Sequence, residues 1–113
     1  MPPTDDMAIQ ETLNHFAMAV GNGEVAVRTE YPSIPTQLIE GLRQIYSQNE
    51  RIKATAQLGK PTITGTRAEV AFVLRLSYVD RTSKQPGTFP FRYRATMIKR
   101  DGKWELTDLS ALP

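Results

Sequence analysis

The sequence predicts an α+β domain in which N-terminal helices pack on one face of a curved antiparallel sheet of about four strands. Three observations predict it. Val70, Phe72, Leu74, Leu76 and Tyr78 fall at every second position, the period of a strand with one buried face. Phe91, Tyr93, Ala95 and Met97 then alternate with Arg92, Arg94 and Thr96 in a second half-buried run. That run passes through Arg100-Asp101-Gly102-Lys103 into Trp104-Glu105-Leu106-Thr107, and Asp-Gly between two alternating runs is a strong hairpin signal. The first half of the chain instead spaces its apolar residues by three and four, and helices followed by a run of strands give the α+β class.

The first helix starts where Asp5 or Asp6 can cap it, a short carboxylate accepting bonds from the free amides at the positive end of the dipole. Ile9, Leu13, Phe16, Ala17 and Val20 make its apolar stripe, and Gly21-Asn22-Gly23 stops it. A short second helix fits residues 24–30. Tyr31-Pro32-Ser33-Ile34-Pro35 must be an extended turn, because each proline pushes the residue before it out of the helical region. Pro35 suits the first turn of a third helix, whose stripe is Leu38, Leu42, Ile45 and Tyr46. Gly41 weakens that helix unless a strand backbone approaches it closely.

Ile52, Ala54, Ala56 and Leu58 alternate with Lys53, Thr55 and Gln57. The alternation resumes at Ile63 after Gly59-Lys60-Pro61, which predicts one long bent strand. Thr64-Gly65-Thr66-Arg67 turns the chain into the next strand. Residues 80–88 show no periodicity and are expected to form a mobile hairpin tip, and Pro90, lacking an amide donor, is expected either to delay pairing of the following strand until Phe91 or to mark an exposed edge there.

A chain of 113 residues makes one domain large enough to bury a core without staples. With no cysteine it has no disulfide, no thiolate nucleophile and no cysteine zinc site. No apolar run reaches the length of a membrane span, so this segment is not expected to insert in a membrane, and nothing in it assigns a compartment. Residues 1–5 read as a linker end, as in a domain cut from a longer protein. A net charge of +2 is too mild to imply a polyanionic partner.

The order of elements, the Tyr31-Pro32-Ser33 turn, the Gly65-Thr66-Arg67-Ala68-Glu69-Val70 run and the closing Asp101-Gly102-Lys103-Trp104-Glu105-Leu106 resemble the nuclear transport factor 2-like superfamily. This is the cone-shaped fold shared with ketosteroid isomerases and SnoaL-like cyclases. The resemblance spans nearly the whole chain and carries fold more than activity. Residues 28–34 are too few for the strand pair that larger members place between the second and third helices, so the chain is similar to compact forms appended to bacterial multidomain proteins.

The resemblance implies a pocket at the wide end of the cone. Tyr31, Tyr46, Tyr78, Tyr93 and Trp104 are expected near it, since their polar tips need water or a partner, although an ordinary core aromatic is the commoner role. An isomerase or hydratase would also need a base and an oxyanion partner in the cone. Asp108 continues the register of Trp104 and Leu106 and is one candidate base; His15, about 100° or more from the centre of the first helix stripe, is the other. For each, a solvated surface position is the commoner outcome. One histidine and scattered carboxylates give no metal set, and the glycines form no phosphate loop or dinucleotide fingerprint, so neither metal nor cofactor is expected.

With the aromatics inside, Arg75, Arg92 and Arg94 turn outward beside Val73 and Thr96. That surface lacks the exposed aromatics with which sheet-based RNA binders stack bases, so no nucleic acid partner is expected. A solvated polar face is the commoner outcome; the competing expectation is that it pairs two copies, with Val73, Arg75, Arg92, Arg94 and Thr96 at the interface. The reading that follows is a non-catalytic module of a larger bacterial protein that binds a small apolar ligand, forms a homodimer, or does both. The alternative is a small isomerase, cyclase or dehydratase acting on an apolar carbonyl compound.

Overall fold

The computed structural model describes residues 4–112. Three helices, α1 (Asp5–Asn22), α2 (Glu24–Glu30) and α3 (Thr36–Gln48), precede five strands: β1 (Asn49–Leu58), β2 (Thr62–Thr64), β3 (Arg67–Asp80), β4 (Pro86–Arg100) and β5 (Lys103–Ala111). The strands form one antiparallel sheet in the order β1-β3-β4-β5, with β2 also paired to β3. The α+β class and the helical layer on one sheet face are as the periodicity predicts.

The inward register holds along the sheet. Val70, Phe72, Leu74 and Leu76 of β3 and Tyr93, Ala95 and Met97 of β4 are buried against Ile9, Leu13, Phe16, Ala17 and Val20 of α1, while Arg75, Arg92 and Arg94 are exposed on the other face. Asp101 and Gly102 both take positive φ (52° and 78°), which is what a two-residue turn needs to match the twist of β4 and β5.

Several expectations are corrected. Thr4, not Asp5 or Asp6, caps α1: its Oγ1 accepts from the Met7 amide at 3.2 Å, and both aspartates lie in the first turn. The expected linker end at residues 1–5 is thereby shortened; residues 1–3 lie outside the described residues, and Asp5 is already helical. The long bent strand is two strands, because Gly59-Lys60-Pro61 breaks the ladder and β1 and β2 pair with successive parts of β3, giving five strands rather than about four. The hairpin tip shrinks to residues 81–85, where Asp80 Oδ1 accepts from the amides of Thr82 and Ser83 at 2.9 and 2.8 Å.

Of the two expectations for Pro90 the exposed edge holds and the delayed pairing does not, since β4 is in register with β3 from Pro86 onward. The Arg92 carbonyl accepts from the Leu112 amide, so the main-chain groups of Arg92 face the β5 side. Those of Pro90, Thr88 and Pro86, at steps of two, face the same way, beyond the end of β5. The amides that the two prolines lack would have met no strand.

Length decides how the layers fit. β3 has 14 residues, roughly 46 Å at about 3.3 Å each, close to the 48 Å long dimension of the molecule, whereas the 18 residues of α1 span only about 27 Å. The helix runs from the β4–β5 turn, where Asp5 meets Lys99 and Trp104, to β1, where Gly21 lies against the backbone of Ile52 and Ala54. The β4 half of the sheet at the other end is left to α3.

Candidate functional site

The inner face of β4 carries a row of aromatic rings that leaves the core. Tyr93 is 4% exposed and stacks flat on Phe91 with ring centres 5.9 Å apart; Phe91 meets Phe89 at 4.8 Å, and Phe89 is 46% exposed. Across from them, Gln37, Leu38 and Gly41 of α3 stand off the sheet, and Ala111 and Leu112 close one side. The result is an open cleft of about 520 Å³. Its remaining lining residues are Pro90 and Arg92, so among the described residues it holds no carboxylate and no imidazole side chain. The α3 stripe is rotated accordingly: Ile39 and Leu42 are buried, whereas Leu38 is only half-buried because it borders the cleft. A Cβ on Gly41 would meet nothing within 4 Å, so no strand backbone approaches there.

A second groove, of about 720 Å³, lies between α1, the Tyr31–Ser33 turn and the β4–β5 hairpin. His15, Glu11 and Glu30 border it with Tyr31, Trp104 and Leu106. His15 Nε2 is 3.9 Å from Glu30 Oε2, and both side chains are largely in water. The Thr12 hydroxyl donates to the Trp104 carbonyl at 3.0 Å, tying α1 to β5 at the groove floor.

The five aromatics expected at one pocket are therefore divided among different places. Tyr31 and Trp104 border the groove. Tyr31 packs edge-on against Phe16 at 5.2 Å, and the Trp104 indole donates to Asp5 Oδ1 at 3.1 Å with Lys99 Nζ 5.9 Å from its ring centre. Tyr93 borders the cleft. The Tyr46 hydroxyl donates to the Val20 carbonyl, where it fastens the end of α1. Tyr78 lies over Gly87, so closely that a Cβ at position 87 would be 2.7 Å from its ring. Burial pushes the hydroxyls of Tyr31, Tyr46 and Tyr93 up to about 12, with a further push from Glu30 on Tyr31 and from Glu24 and Tyr93 on Tyr46. All three are hydrogen-bond donors at neutral pH rather than bases.

Asp108 does not face the cone. In β5 one extra residue intrudes: Leu106 pairs with Met97 but Asp108 pairs with Thr96, leaving Thr107 as a bulge whose hydroxyl donates to the Thr96 carbonyl at 3.1 Å. The bulge shifts the alternation by one step, so Leu109 points inward and Asp108 is exposed on the outer face. His15 is on the surface side of α1, at the groove. Among the described residues no group of histidines and carboxylates could hold a metal ion.

Sequence reasoning missed Phe89, Leu38 and Gly41 as lining residues. The signal for Phe89 is its parity with Phe91 and Tyr93. The residues expected at an interface do share the outer face: Arg75, Arg92 and Arg94 are exposed, and Val73 and Thr96 are half-buried between them.

The order β1-β3-β4-β5, the hairpin longer than the helices and the slant of α1 across the inner face define a cone open at one end. The chain has the nuclear transport factor 2-like fold. Among solved structures it is similar to a Salmonella enterica nuclear transport factor 2-like superfamily protein, with a TM-score of 0.60 and 15% identity over 97% of this chain and 94% of that one. It is similar to a Xanthomonas campestris protein assigned as a calcium/calmodulin-dependent protein kinase II association domain, with a TM-score of 0.64 and 18% identity over 98% and 90%. A Novosphingobium aromaticivorans protein assigned as a scytalone dehydratase is similar at 0.62 and 13%, over 96% and 85%. Neither a family model nor a curated protein sequence matches the chain. Proteins of this fold thus include one assigned as an enzyme and one assigned as an association domain.

Proposed function

We propose that this chain is a non-catalytic module that binds a small apolar ligand in the cleft between α3 and β4. The observation that carries the reading is the row Phe89, Phe91 and Tyr93, which faces a cleft of ligand size whose lining, among the described residues, holds no carboxylate or imidazole side chain. Such a lining can desolvate an apolar body, and Gln37 at its border can take one polar end, but it offers no base. The test is a thermal-shift series with medium-chain fatty acids and aromatic polyketide-like acids. A ligand present at about a hundred times its dissociation constant adds roughly 2.7 kcal/mol of stability. Phe89→Ser is expected to abolish the shift without lowering the midpoint of the free protein by more than a few degrees. A shift that survives in Phe89→Ser places the ligand elsewhere and removes the reading.

The catalytic alternative has its own observation, since the groove brings His15, Glu30 and Tyr31 together. There His15 would be the base and the neutral Tyr31 hydroxyl the donor to a carbonyl oxygen. Exposure of His15 to water weighs against it. Turnover of an apolar ketone or enone that disappears in both His15→Gln and Tyr31→Phe supports this alternative over the first reading.

Pairing of two copies through the outer face also remains our reading, supported by Val73, an apolar side chain set among the exposed Arg75, Arg92 and Arg94 with Thr96 beyond them, an apolar centre with a hydrogen-bonding rim. Light scattering is expected to give twice the chain mass for the wild type and the single mass for Val73→Glu. A monomeric wild type rules the pair out.

A further inference from the structure

The strand edge beside the β3–β4 turn carries a feature that neither the cleft nor the pairing face uses. In β1, Glu50 pairs with Val79 but Lys53 pairs with Ser77, so one extra residue is accommodated between them. Arg51 in that bulge has φ of 55°, a left-handed conformation that a residue with a Cβ seldom adopts outside turns. Bulges and strained residues of this kind re-aim side chains at ligand sites. Here the bulge borders a hollow of about 520 Å³ on the outer face.

The register specifies what lines it. Lys53, Ser77 and Thr88 form one cross-strand row over β1, β3 and β4, with neighbours about 4.5–5.5 Å apart, close enough for adjacent side chains to share one ligand. The adjoining pair, Val79 and Pro86, is apolar. Among the described residues no carboxylate lines the hollow, and neither Arg51 nor Lys53 has a carboxylate within ion-pair distance; Glu50, whose charge Arg51 also favours from farther off, is bound by Lys84 at 2.9 Å. Two cations and two hydroxyls around a concave surface suit a doubly charged oxyanion, and the apolar pair beside them suits a hydrocarbon attached to it.

We infer that this hollow binds a phosphate monoester of a small apolar group, with Arg51 and Lys53 on the phosphate, Ser77 and Thr88 donating to its oxygens, and Val79 and Pro86 against the ester carbon body. Phenyl phosphate is the probe, titrated into the 113-residue chain by calorimetry at low salt, with inorganic phosphate and phenol as separate arms. Phenyl phosphate is expected to bind more tightly than inorganic phosphate, and phenol to give no heat that depends on Lys53. Lys53→Gln keeps the bulge and the strand and is expected to raise the phenyl phosphate dissociation constant roughly tenfold or more, as loss of a charge-assisted bond does, with the light-scattering mass unchanged. Arg51→Gly relieves the left-handed strain and is expected to raise the thermal midpoint while weakening binding. Phenyl phosphate that binds Lys53→Gln or Arg51→Gly as it binds the wild type, or no better than phenol, overturns the inference.

Discussion

The two ends of the inner sheet face present the same kind of side chain and fare differently. At the closed end Trp104, Met97 and Leu106 are buried beneath the first turns of α1, Trp104 and Leu106 at the border of the groove, and Asp5 fastens the seam by accepting from both Lys99 Nζ, at 3.0 Å, and the Trp104 indole. At the open end Phe89 points the same way as Tyr93 and Met97, yet is nearly half exposed. Alternation along a strand fixes which way a side chain points; whether it is buried depends on how far the opposing helix reaches. A helix of about 27 Å cannot cover strands of about 46 Å, and the uncovered remainder is the cleft.

The sharpest way to break this comparison is to truncate one ring in the covered core and one at the open end. Phe72→Ala empties a site that is 2% exposed and is expected to cost about 3–5 kcal/mol, whereas Phe89→Ala is expected to cost about 1 kcal/mol or less, because much of its ring is already in water. Urea denaturation measures both, and equal losses would mean the open end is packed as tightly as the core. Gly41→Ala is expected to add about 1 kcal/mol, since its new methyl meets no neighbour and alanine favours the helix. A loss of stability there would place α3 against the sheet.

Two pH limbs separate the ends further. In the folded chain Tyr93 is raised from 10.0 to about 12 by burial, so the unfolded chain loses its proton first. The stability this protects is complete below pH 10 and is lost as pH rises toward about 12. Tyr93→Phe is expected to leave a shallower alkaline limb, carried by Tyr31 and Tyr46. At the closed end Asp5 is held below its ordinary 3.8, first by the hydrogen bond from Lys99 and then by that from Trp104. Its contribution is present above pH 3.8 and lost as pH falls through the lower folded value. Asp5→Asn is expected to flatten that acid limb in thermal melts. This is the smallest of the four effects, because solvent screens the pair.

Much of the fold was legible because it follows from local rules. Apolar spacing placed the α1 stripe, every second residue placed the inner face of β3 and β4, and Asp101-Gly102 placed the last turn. The failures share a different cause. A strand register read from one end is destroyed by a single inserted residue, and nothing in Leu106-Thr107-Asp108 announces the bulge that turns Asp108 outward, because Thr107 is bulged by its fit to Thr96. Pro90 left two outcomes open, late pairing or an exposed edge, because proline forbids pairing only when its amide would face another strand, which sequence alone does not specify. The pocket tyrosines were expected to share one pocket, but Tyr46 meets a helix-end carbonyl and Tyr78 lies over Gly87, both set by tertiary geometry.

The two prolines on the unpaired margin of β4 have a consequence for the life of the protein at high concentration. An open-ended hairpin with rings along it is the kind of surface on which further chains stack as added strands, the first step toward a fibril. Pro86 and Pro90 remove two of the three hydrogen-bond donors that a newcomer would use between positions 86 and 90, and Thr88 alone supplies the third. Growth by strand addition is thereby blocked on the side where the helices give no shelter, and the mouth of the cone can stay uncovered in solution.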